Sequence, residues 1–261
     1  MNGLAVRECW KYRELFYFLA LREIKLRYKQ TVLGVTWAVL QPLLTVFVFT
    51  LLFGKLSKMP SDGIPYPLFY FAALLPWMYF STTLSNAGNS LVTNASLITK
   101  VYFPRIILPS SMAISGLVDF GIGCILLLGT TAYYGVTPGW KLLMWPILVV
   151  PLVTLALGVS MILAALNVRY RDVKYAMPFL IQLWLFVTPV IYPTSIIPER
   201  YRFLLALNPL AGIIDGFRAS LAPVKPIDWR LLAVSSILTL AVFATAAVYF
   251  RKTERSFADI V

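Results

Sequence analysis

The sequence predicts an all-α, polytopic membrane protein with six transmembrane helices and an N-terminal amphipathic interface helix. Three observations support this fold class. Hydrophobic residues make up 59% of the 261 positions, whereas charged residues make up only 13%. The mean hydropathy is +0.78, and soluble domains carry about a quarter charged residues. The apolar residues also fall into six long stretches, which is the pattern of membrane-spanning helices.

A helix needs roughly 20 apolar residues to cross a bilayer, and five of the six stretches reach that length. The fifth is shorter and contains Pro178 and Pro189. It can cross only with little tilt, in a locally thin bilayer, or by continuing into the residues that follow it. The predicted spans are 33–54, 67–88, 106–134, 142–166, 177–192 and 229–250.

Residues 1–32 are predicted to form a cytoplasmic amphipathic interface segment. A helical wheel places apolar side chains on one face, into which Glu23 intrudes, and basic side chains around the rest. Such a helix lies in the membrane surface with its basic side towards anionic head groups, and a solvated helix is the alternative. The apolar residues are Tyr12, Leu15, Phe16, Leu19 and Leu26, and the basic residues are Arg13, Arg22, Lys25 and Lys29.

The distribution of lysine and arginine predicts how the spans are oriented. With the N terminus inside, the inner segments hold 15 of the 23 lysines and arginines, and the outer segments hold 8. Because cytoplasmic segments carry this excess, both termini are predicted to lie in the cytoplasm. The net charge of +12 therefore needs no nucleic-acid partner to explain it.

Residues 193–222, between the fifth and sixth spans, resemble neither a span nor a polar loop. Pro198 and Pro209 interrupt them, since proline removes an amide donor and fixes its own φ. The two apolar patches at 201–207 and 210–221 are too short to cross a bilayer and carry or adjoin charges. We expect re-entrant or interfacial helices on the outer side; a buried helix of a soluble core is the alternative.

The inner loop at 89–105 is unusually apolar for a cytoplasmic loop. Asn94 and Ser96 can begin a short helix that Pro104 ends, so a helix is predicted near 94–104. An exposed apolar surface on such a helix indicates a partner protein. The alternative is a helix lying on the bilayer surface.

Two features inside the spans concern charge and packing. Asp119 lies near the middle of the third span, where an acidic side chain costs about 2.5–3.5 kcal/mol and must face protein or water. It could bind a coupling ion or act as a structural hydrogen-bond acceptor. Ala156, Ser160 and Ala164 put small residues on one face of the fourth span, which predicts close helix packing.

The sequence lacks the side chains that most enzymes and metal sites use. Histidine is absent, and no G-x-x-x-x-G-K-S/T phosphate loop occurs. The acidic residues are scattered, with Glu199 and Asp215 outside, Asp172 inside and Asp119 within a span. We therefore predict that this chain alone catalyses no reaction and holds no metal or cofactor.

Aromatic residues are abundant, with 17 Phe, 14 Tyr and 7 Trp. Aromatic faces suit the apolar faces of sugars, but buried aromatic side chains also simply pack, and both interpretations stay open. The aromatic residues inside the first and fifth spans are Trp37, Phe47, Phe49, Trp184 and Phe186.

Three motifs resemble the permease subunits of ABC-type polysaccharide exporters, the membrane halves of transporters for O-antigen, capsular polysaccharide or teichoic acid. They follow that family's order over nearly the whole chain. The motifs are LREIKLRYKQTVLG at 21–34 followed by Trp37 and Pro42; PERY at 198–201 followed by LNPL at 207–210, Ile213, Ile214, Phe217 and Arg218; and YFRKTERSFADI at 249–260.

This resemblance implies a homodimer of six-span subunits in the bacterial inner membrane. Two copies of a separate nucleotide-binding ATPase subunit would bind ATP and Mg, so this chain would need no cofactor of its own. The implied substrate is a lipid-linked polysaccharide such as an O-antigen, which the complex would move outward.

The resemblance also implies roles for particular residues. The expected ATPase-coupling residues are Leu97, Ile98, Lys100, Val101, Tyr102, Phe103, Arg105, Arg169, Arg171 and Asp172. The interface-helix motif contributes Arg22, Arg27, Tyr28 and Gly34. The first and fifth spans would line the channel at the dimer interface, with Trp37, Phe47, Phe49, Trp184, Phe186 and Tyr192 as pathway residues. The re-entrant motif that closes the exit contributes Pro198, Glu199, Asn208, Pro209 and Arg218.

Two alternative functions make different demands on the sequence. An ion-coupled secondary transporter that uses Asp119 would normally contain an internal repeat, and none is evident between the two halves. A membrane-embedded enzyme acting on polyprenyl-linked glycans would need clustered catalytic groups, which the scattered carboxylates do not provide.

Overall fold

The computed structural model describes residues 10–29, 34–137, 139–221, 225–254 and 257, and these residues contain helices but no β-strand. The all-α class is therefore confirmed for the described part of the chain. The α-helices are α1 (Arg13–Lys29), α2 (Gly34–Phe49), α3 (Tyr66–Thr93), α4 (Ala95–Lys100), α5 (Ile107–Tyr133), α6 (Trp145–Arg169), α7 (Val173–Val187), α8 (Arg202–Ala206), α9 (Pro209–Leu221) and α10 (Trp229–Glu254).

Among the described residues, four helical segments are long and apolar enough to cross a membrane. They correspond to the predicted first, third, fourth and sixth spans, and the first includes a π-helical segment, Thr50–Leu56, that continues α2. The chain is thus a multi-pass membrane protein, and the count of six spans stays a prediction. The four segments are Thr36–Leu56, Ile107–Tyr133, Trp140–Arg169 and Trp229–Glu254.

The predicted second span lies within α3, which occupies the centre of the bundle. This helix packs against α2, α5, α6, α7 and α9, and its successive residues Phe69, Tyr70 and Phe71 are all fully buried. A helix that is buried over most of its surface has little face that must match lipid. Its polar groups are accommodated by neighbouring helices, as where the Tyr79 hydroxyl donates to the Ala113 carbonyl at 3.1 Å.

The predicted fifth span is only partly helical. The apolar helix α7 has 15 residues and ends at Val187, although the prediction ran from 177 to 192. Thr188 leaves the helix with φ −91° and ψ 139°. A residue before proline is disfavoured in the helical region, so Pro189 explains why α7 stops there.

Two hydrophobic clusters form the core. The larger one surrounds α3 and includes residues of α5, α6 and α9. The smaller cluster includes Leu19 of α1, Ile98 of α4, Ile107 of α5 and Phe250 of α10. The short helix α4 and the interface helix α1 are therefore packed against the body of the protein.

Close packing of the fourth span, predicted from its small residues, is present in α6. Ala156, Ser160 and Ala164 are all fully buried. The Ser160 hydroxyl lies 3.5 Å from the Thr83 carbonyl oxygen of α3. Small side chains on this face thus let the backbones of α6 and α3 approach each other.

Other predicted segments differ in extent from the observed elements. The helix predicted near 94–104 is α4, which ends at Lys100 because Val101 is extended, with φ −131°. The predicted re-entrant stretch consists of two 3-10 turns, Thr194–Ile196 and Glu199–Tyr201, followed by α8 and α9. Its residue 222, residues 1–9 and 30–32 of the interface segment, and most of the tail beyond 254 lie outside the described residues.

Candidate transport site

The predicted pathway residues do not form a single cluster within this chain. Trp37, Phe47 and Phe186 are more than half exposed. Phe49 and Trp184 are instead packed against the larger core cluster, where the Trp184 ring lies 5.1 Å from that of Phe80. Tyr192 is partly buried, and its hydroxyl donates to the carbonyl oxygens of residues 186 and 187.

A cavity of about 620 Å³ lies between the C-terminal end of α1 and the helices α2, α3 and α5. The predicted pathway residue Trp37 lines it, as do Arg27 and Tyr28 of the interface-helix motif. Gly34, the fourth residue of that motif set, begins α2. Most of the remaining wall is apolar, with Leu75 of α3 and Phe120 of α5 among its residues.

Asp119 lies in this cavity and accepts two hydrogen bonds from α1. Arg27 Nη1 donates to one carboxylate oxygen, and the Tyr28 hydroxyl donates to the other. The side chains of Arg27 and Asp119 are 33% and 35% exposed. Of the two roles that the sequence left open, the structure shows the hydrogen-bond acceptor.

The Tyr28 hydroxyl is suited to remain a donor. Burial raises the pKa of Tyr28 above its ordinary value of 10.0, and the neighbouring Arg27 guanidinium partly opposes this effect. Tyr28 is therefore a neutral phenol at physiological pH, and Arg27 brings the positive charge.

Arg218, the last residue of the motif that begins at Pro198, is fully buried and bonded to backbone oxygens. Burial lowers its pKa to about 10, and Asp215 acts in the opposite direction, so Arg218 is still charged at neutral pH. Its guanidinium carbon lies 3.8 Å from the centre of the Phe69 ring. It donates to the carbonyl oxygens of Phe69 (3.4 Å), Pro189 (2.5 Å), Val190 and Tyr192 (2.9 Å).

Three of the carbonyl groups bonded to Arg218, those of Pro189, Val190 and Tyr192, follow the end of α7. The chain is not helical there, so no helical N–H groups bond to these oxygens. Buried backbone oxygens without donors are costly, and the guanidinium offers five N–H groups in a fixed plane. Arg218 on α9 therefore stabilises the non-helical segment after α7.

Asn208 also connects the end of α7 to the start of α9. Its Oδ1 accepts from Leu210 N at 3.1 Å and from Trp184 Nε1 at 3.2 Å, and its Nδ2 donates to Thr188 Oγ1 at 2.9 Å. The bond to Leu210 N is an N-terminal cap of α9, and Pro209 occupies the first helical position, where a missing N–H is harmless.

Pro198 and Glu199, the other members of the re-entrant motif, are exposed. The Glu199 carboxylate lies 3.6 Å from Arg202, with 90% of its side chain exposed. Nothing in these contacts gives Pro198 or Glu199 the structural role that Asn208 and Arg218 have.

A polar network joins the predicted re-entrant stretch to the loop before α3. Lys225 Nζ lies 2.7 Å from Asp215 and 3.3 Å from Asp62. Thr194 donates to Asp215 at 2.9 Å, and Ser195 donates to Asp62 at 2.7 Å. The two acidic residues thus share one lysine, which was not evident from their separation in the sequence.

The predicted ATPase-coupling residues divide into buried and exposed ones. Ile98 and Phe103 are buried in the smaller core cluster, and Leu97 packs against it. The side chain of Tyr102 is 80% exposed and that of Val101 is 49% exposed. The remaining exposed residues of this set are Lys100, Arg169, Arg171 and Asp172.

Two hydrogen-bonded links connect the region of α4 to other elements. Arg105 donates through its backbone N and through Nη1 to Glu254 at the end of α10, at 2.7 Å and 2.6 Å. Arg22 of α1 donates to Asn94 Oδ1 at 2.7 Å. Sequence reasoning missed Asn94 and Glu254 as partners, and no local pattern in the sequence identifies them.

Comparison with known proteins supplies a family. A family model described as ABC-2 type transporter matches residues 14–222. The O-antigen export system permease protein RfbA of Myxococcus xanthus is 34% identical over 253 residues, covering 95% of this chain and 96% of the relative. A Klebsiella pneumoniae protein of the same name is 28% identical over 250 residues, covering 95% of each chain. The polysialic acid transport protein KpsM of Escherichia coli is 23% identical over 244 residues, covering 90% of this chain and 92% of the relative.

Proposed function

This chain belongs to the ABC-2 type transporter family, and from that membership we propose that it is the membrane permease subunit of an ATP-driven polysaccharide exporter. The substrate is a lipid-linked polysaccharide resembling an O-antigen, moved outward across the bacterial inner membrane. The observation that carries this proposal is the end-to-end similarity to a protein named as an O-antigen export permease, 34% identical over 95% of this chain.

Energy for export comes, in this proposal, from two copies of a separate ATPase subunit that bind ATP and Mg. The absence of a phosphate loop from the sequence is consistent with this division of labour. The exposed side chain of Tyr102 supplies a contact for the ATPase, while the buried Ile98 and Phe103 fix the region of α4 to the bundle. A force applied at the inner surface would then reach the spans.

A second copy of the chain completes the transport path. The apolar side chains of α2 and α7 remain exposed, including Phe47, Phe179, Leu183 and Phe186. Lipid or a second copy can cover such a surface. We assign it to the homodimer, with Trp37, Phe47 and Phe186 facing the path and both termini in the cytoplasm.

The direct test is transport by the purified complex in inside-out membrane vesicles. Vesicles that contain this chain and its ATPase are expected to accumulate lipid-linked polysaccharide with ATP, and not with a non-hydrolysable analogue. Accumulation driven by an ion gradient without the ATPase would contradict the proposal and favour the secondary transporter. Modification of the glycan by this chain alone would favour the enzyme.

A variant of the inner surface tests the ATPase contact separately. Tyr102→Asp places a charge on an 80% exposed position and is expected to prevent co-purification with the ATPase. The matched control is Tyr133→Asp, at the end of α5 with 83% of its side chain exposed, which is expected to leave assembly intact. Normal assembly of the Tyr102 variant would exclude this contact.

A further inference from the structure

The segment at 101–106, between α4 and α5, is not helical and presents the exposed Tyr102. Tyr102 is 80% exposed, whereas Phe103 beside it is 3% exposed. A segment without regular secondary structure keeps one conformation only where its backbone and side chains have partners elsewhere. The direction in which Tyr102 points therefore depends on the contacts that its neighbours make.

Glu254, the last residue of α10, bonds to this segment at Arg105. Its side-chain Oε1 accepts from the Arg105 backbone N–H at 2.7 Å, and its backbone oxygen accepts from Arg105 Nη1 at 2.6 Å. A carboxylate is a stronger acceptor than a neutral group. Its negative charge is also favourable here, because α5 begins two residues later at Ile107 and the start of a helix attracts negative charge. Both the backbone and the side chain of Arg105 are thus fixed to α10.

The apolar side of the same segment packs into the smaller core cluster. Phe103 belongs to that cluster together with Phe250 of α10. Apolar burial is non-directional, so it holds Phe103 inside without fixing how the backbone beside it is turned. The hydrogen bonds from Glu254 are directional, and they supply that restriction.

We infer that Glu254 is a positioning residue for the ATPase contact. By holding Arg105, it fixes the segment that presents Tyr102 and ties that segment to α10. This inference rests on the proposed function, in which Tyr102 contacts the ATPase. A movement of the ATPase at Tyr102 is then carried to α10 as well as to α5.

The first test measures the affinity of the purified ATPase subunit for this chain in detergent. Glu254→Ala removes the acceptor of the Arg105 N–H and is expected to weaken ATPase binding about tenfold. Its matched control is Asp228→Ala near the other end of α10, where a carboxylate accepts from the Leu231 N–H at 3.0 Å. The control is expected to bind the ATPase as the wild type does. Unchanged binding by Glu254→Ala, or an equal loss in both variants, would overturn the inference.

Two conservative variants separate positioning from a direct contact between the carboxylate and the ATPase. Glu254→Gln loses the charge but keeps an oxygen at the same reach, and its affinity is expected to stay within about threefold of the wild type. Glu254→Asp keeps the charge but is shorter by one methylene, about 1.5 Å, which takes its oxygen out of range of the Arg105 N–H. It is expected to bind as weakly as Glu254→Ala. The opposite order would show that the charge itself contacts the ATPase, and it would overturn the positioning role.

A double-mutant cycle tests whether Glu254 acts through Tyr102. Tyr102→Ala alone is expected to weaken ATPase binding about tenfold or more. Adding Glu254→Ala to it is expected to cause no further loss, because no tyrosine is left to position. Additive losses would show that Glu254 acts independently of Tyr102 and would overturn the inference. If Glu254→Ala does not fold, Glu254→Asp takes its place in the cycle.

The outcome is distinct from that of the export experiment. ATP-dependent transport by the wild type, together with unchanged ATPase affinity in Glu254→Ala, would support the proposed function and overturn the positioning role. A wild-type chain that neither binds an ATPase nor transports with ATP would overturn the proposed function itself.

Discussion

Arg218 and Arg27 are two arginines within one helical bundle, and their surroundings differ in kind. Arg218 is fully buried and donates to four backbone oxygens. Arg27 is a third exposed and pairs with the carboxylate of Asp119 in a cavity. Arg218 thus bonds to the backbone of a non-helical segment, whereas Arg27 bonds to one side chain. The same residue type is therefore expected to contribute more to stability at position 218 than at position 27.

The largest expected effect is at the buried arginine. Arg218→Met leaves the four carbonyl oxygens without their donor, and removal of one partner from a buried charged network costs about 3–5 kcal/mol. We expect the melting temperature in detergent to fall by roughly 10 °C. Arg202→Met is the matched control, since Arg202 is half exposed and lies 3.6 Å from Glu199. Equal stability of the two variants would remove the architectural role of Arg218.

A smaller loss of stability is expected at Asn208, which forms the neighbouring link between α7 and α9. Asn208→Ala removes the cap on Leu210 and the bonds to Trp184 and Thr188, and it should cost about 1–3 kcal/mol. Asn208→Asp keeps the acceptor oxygen and is expected to lose less in the same melting assay. Identical losses would show that the cap contributes little.

The smallest effect on stability is expected at the cavity. Arg27→Gln removes the charge of Arg27 but keeps an amide that can donate to Asp119, and Tyr28 still donates to the same carboxylate, so the free energy of unfolding should fall by about 1 kcal/mol. The measurement is the same melting assay, with Arg22→Gln as the control on the same helix. A loss as large as that of Arg218→Met would abolish the distinction between the two arginines.

The sequence predicts the helices well where apolar length decides, and less well where a single residue ends a helix. Four predicted spans coincide with the apolar helices α2, α5, α6 and α10. The fifth ends earlier than predicted because Thr188 precedes a proline and turns extended. Average hydropathy is insensitive to such a local backbone restriction.

Side-chain partners were mostly beyond prediction because they join distant parts of the chain. Arg27 and Asp119 are 92 positions apart. The cost of a carboxylate inside a span required some partner, and that signal was available in the sequence. Several basic residues of α1 could have supplied it, and only the three-dimensional packing selects Arg27.

The loop at 89–105 shows a different limit of prediction from sequence. Its apolar residues predicted an exposed surface for a partner protein. Apolar residues in a loop can equally pack inward and complete the core. Ile98 and Phe103 pack inward, and Tyr102 between them in sequence points outward. The interface helix behaves similarly, because Leu19 is buried while Leu26, predicted on the same face, is 45% exposed.

The bonding of Arg218 also restricts how α9 can move relative to its neighbours. Sliding α9 away from the end of α7 would strip four buried oxygens of their donor at once. Tilting α9 and the end of α7 together keeps the three bonds to Pro189, Val190 and Tyr192, but it breaks the bond to Phe69 unless α3 moves as well. The end of α7, α9 and the adjoining part of α3 are therefore expected to move together.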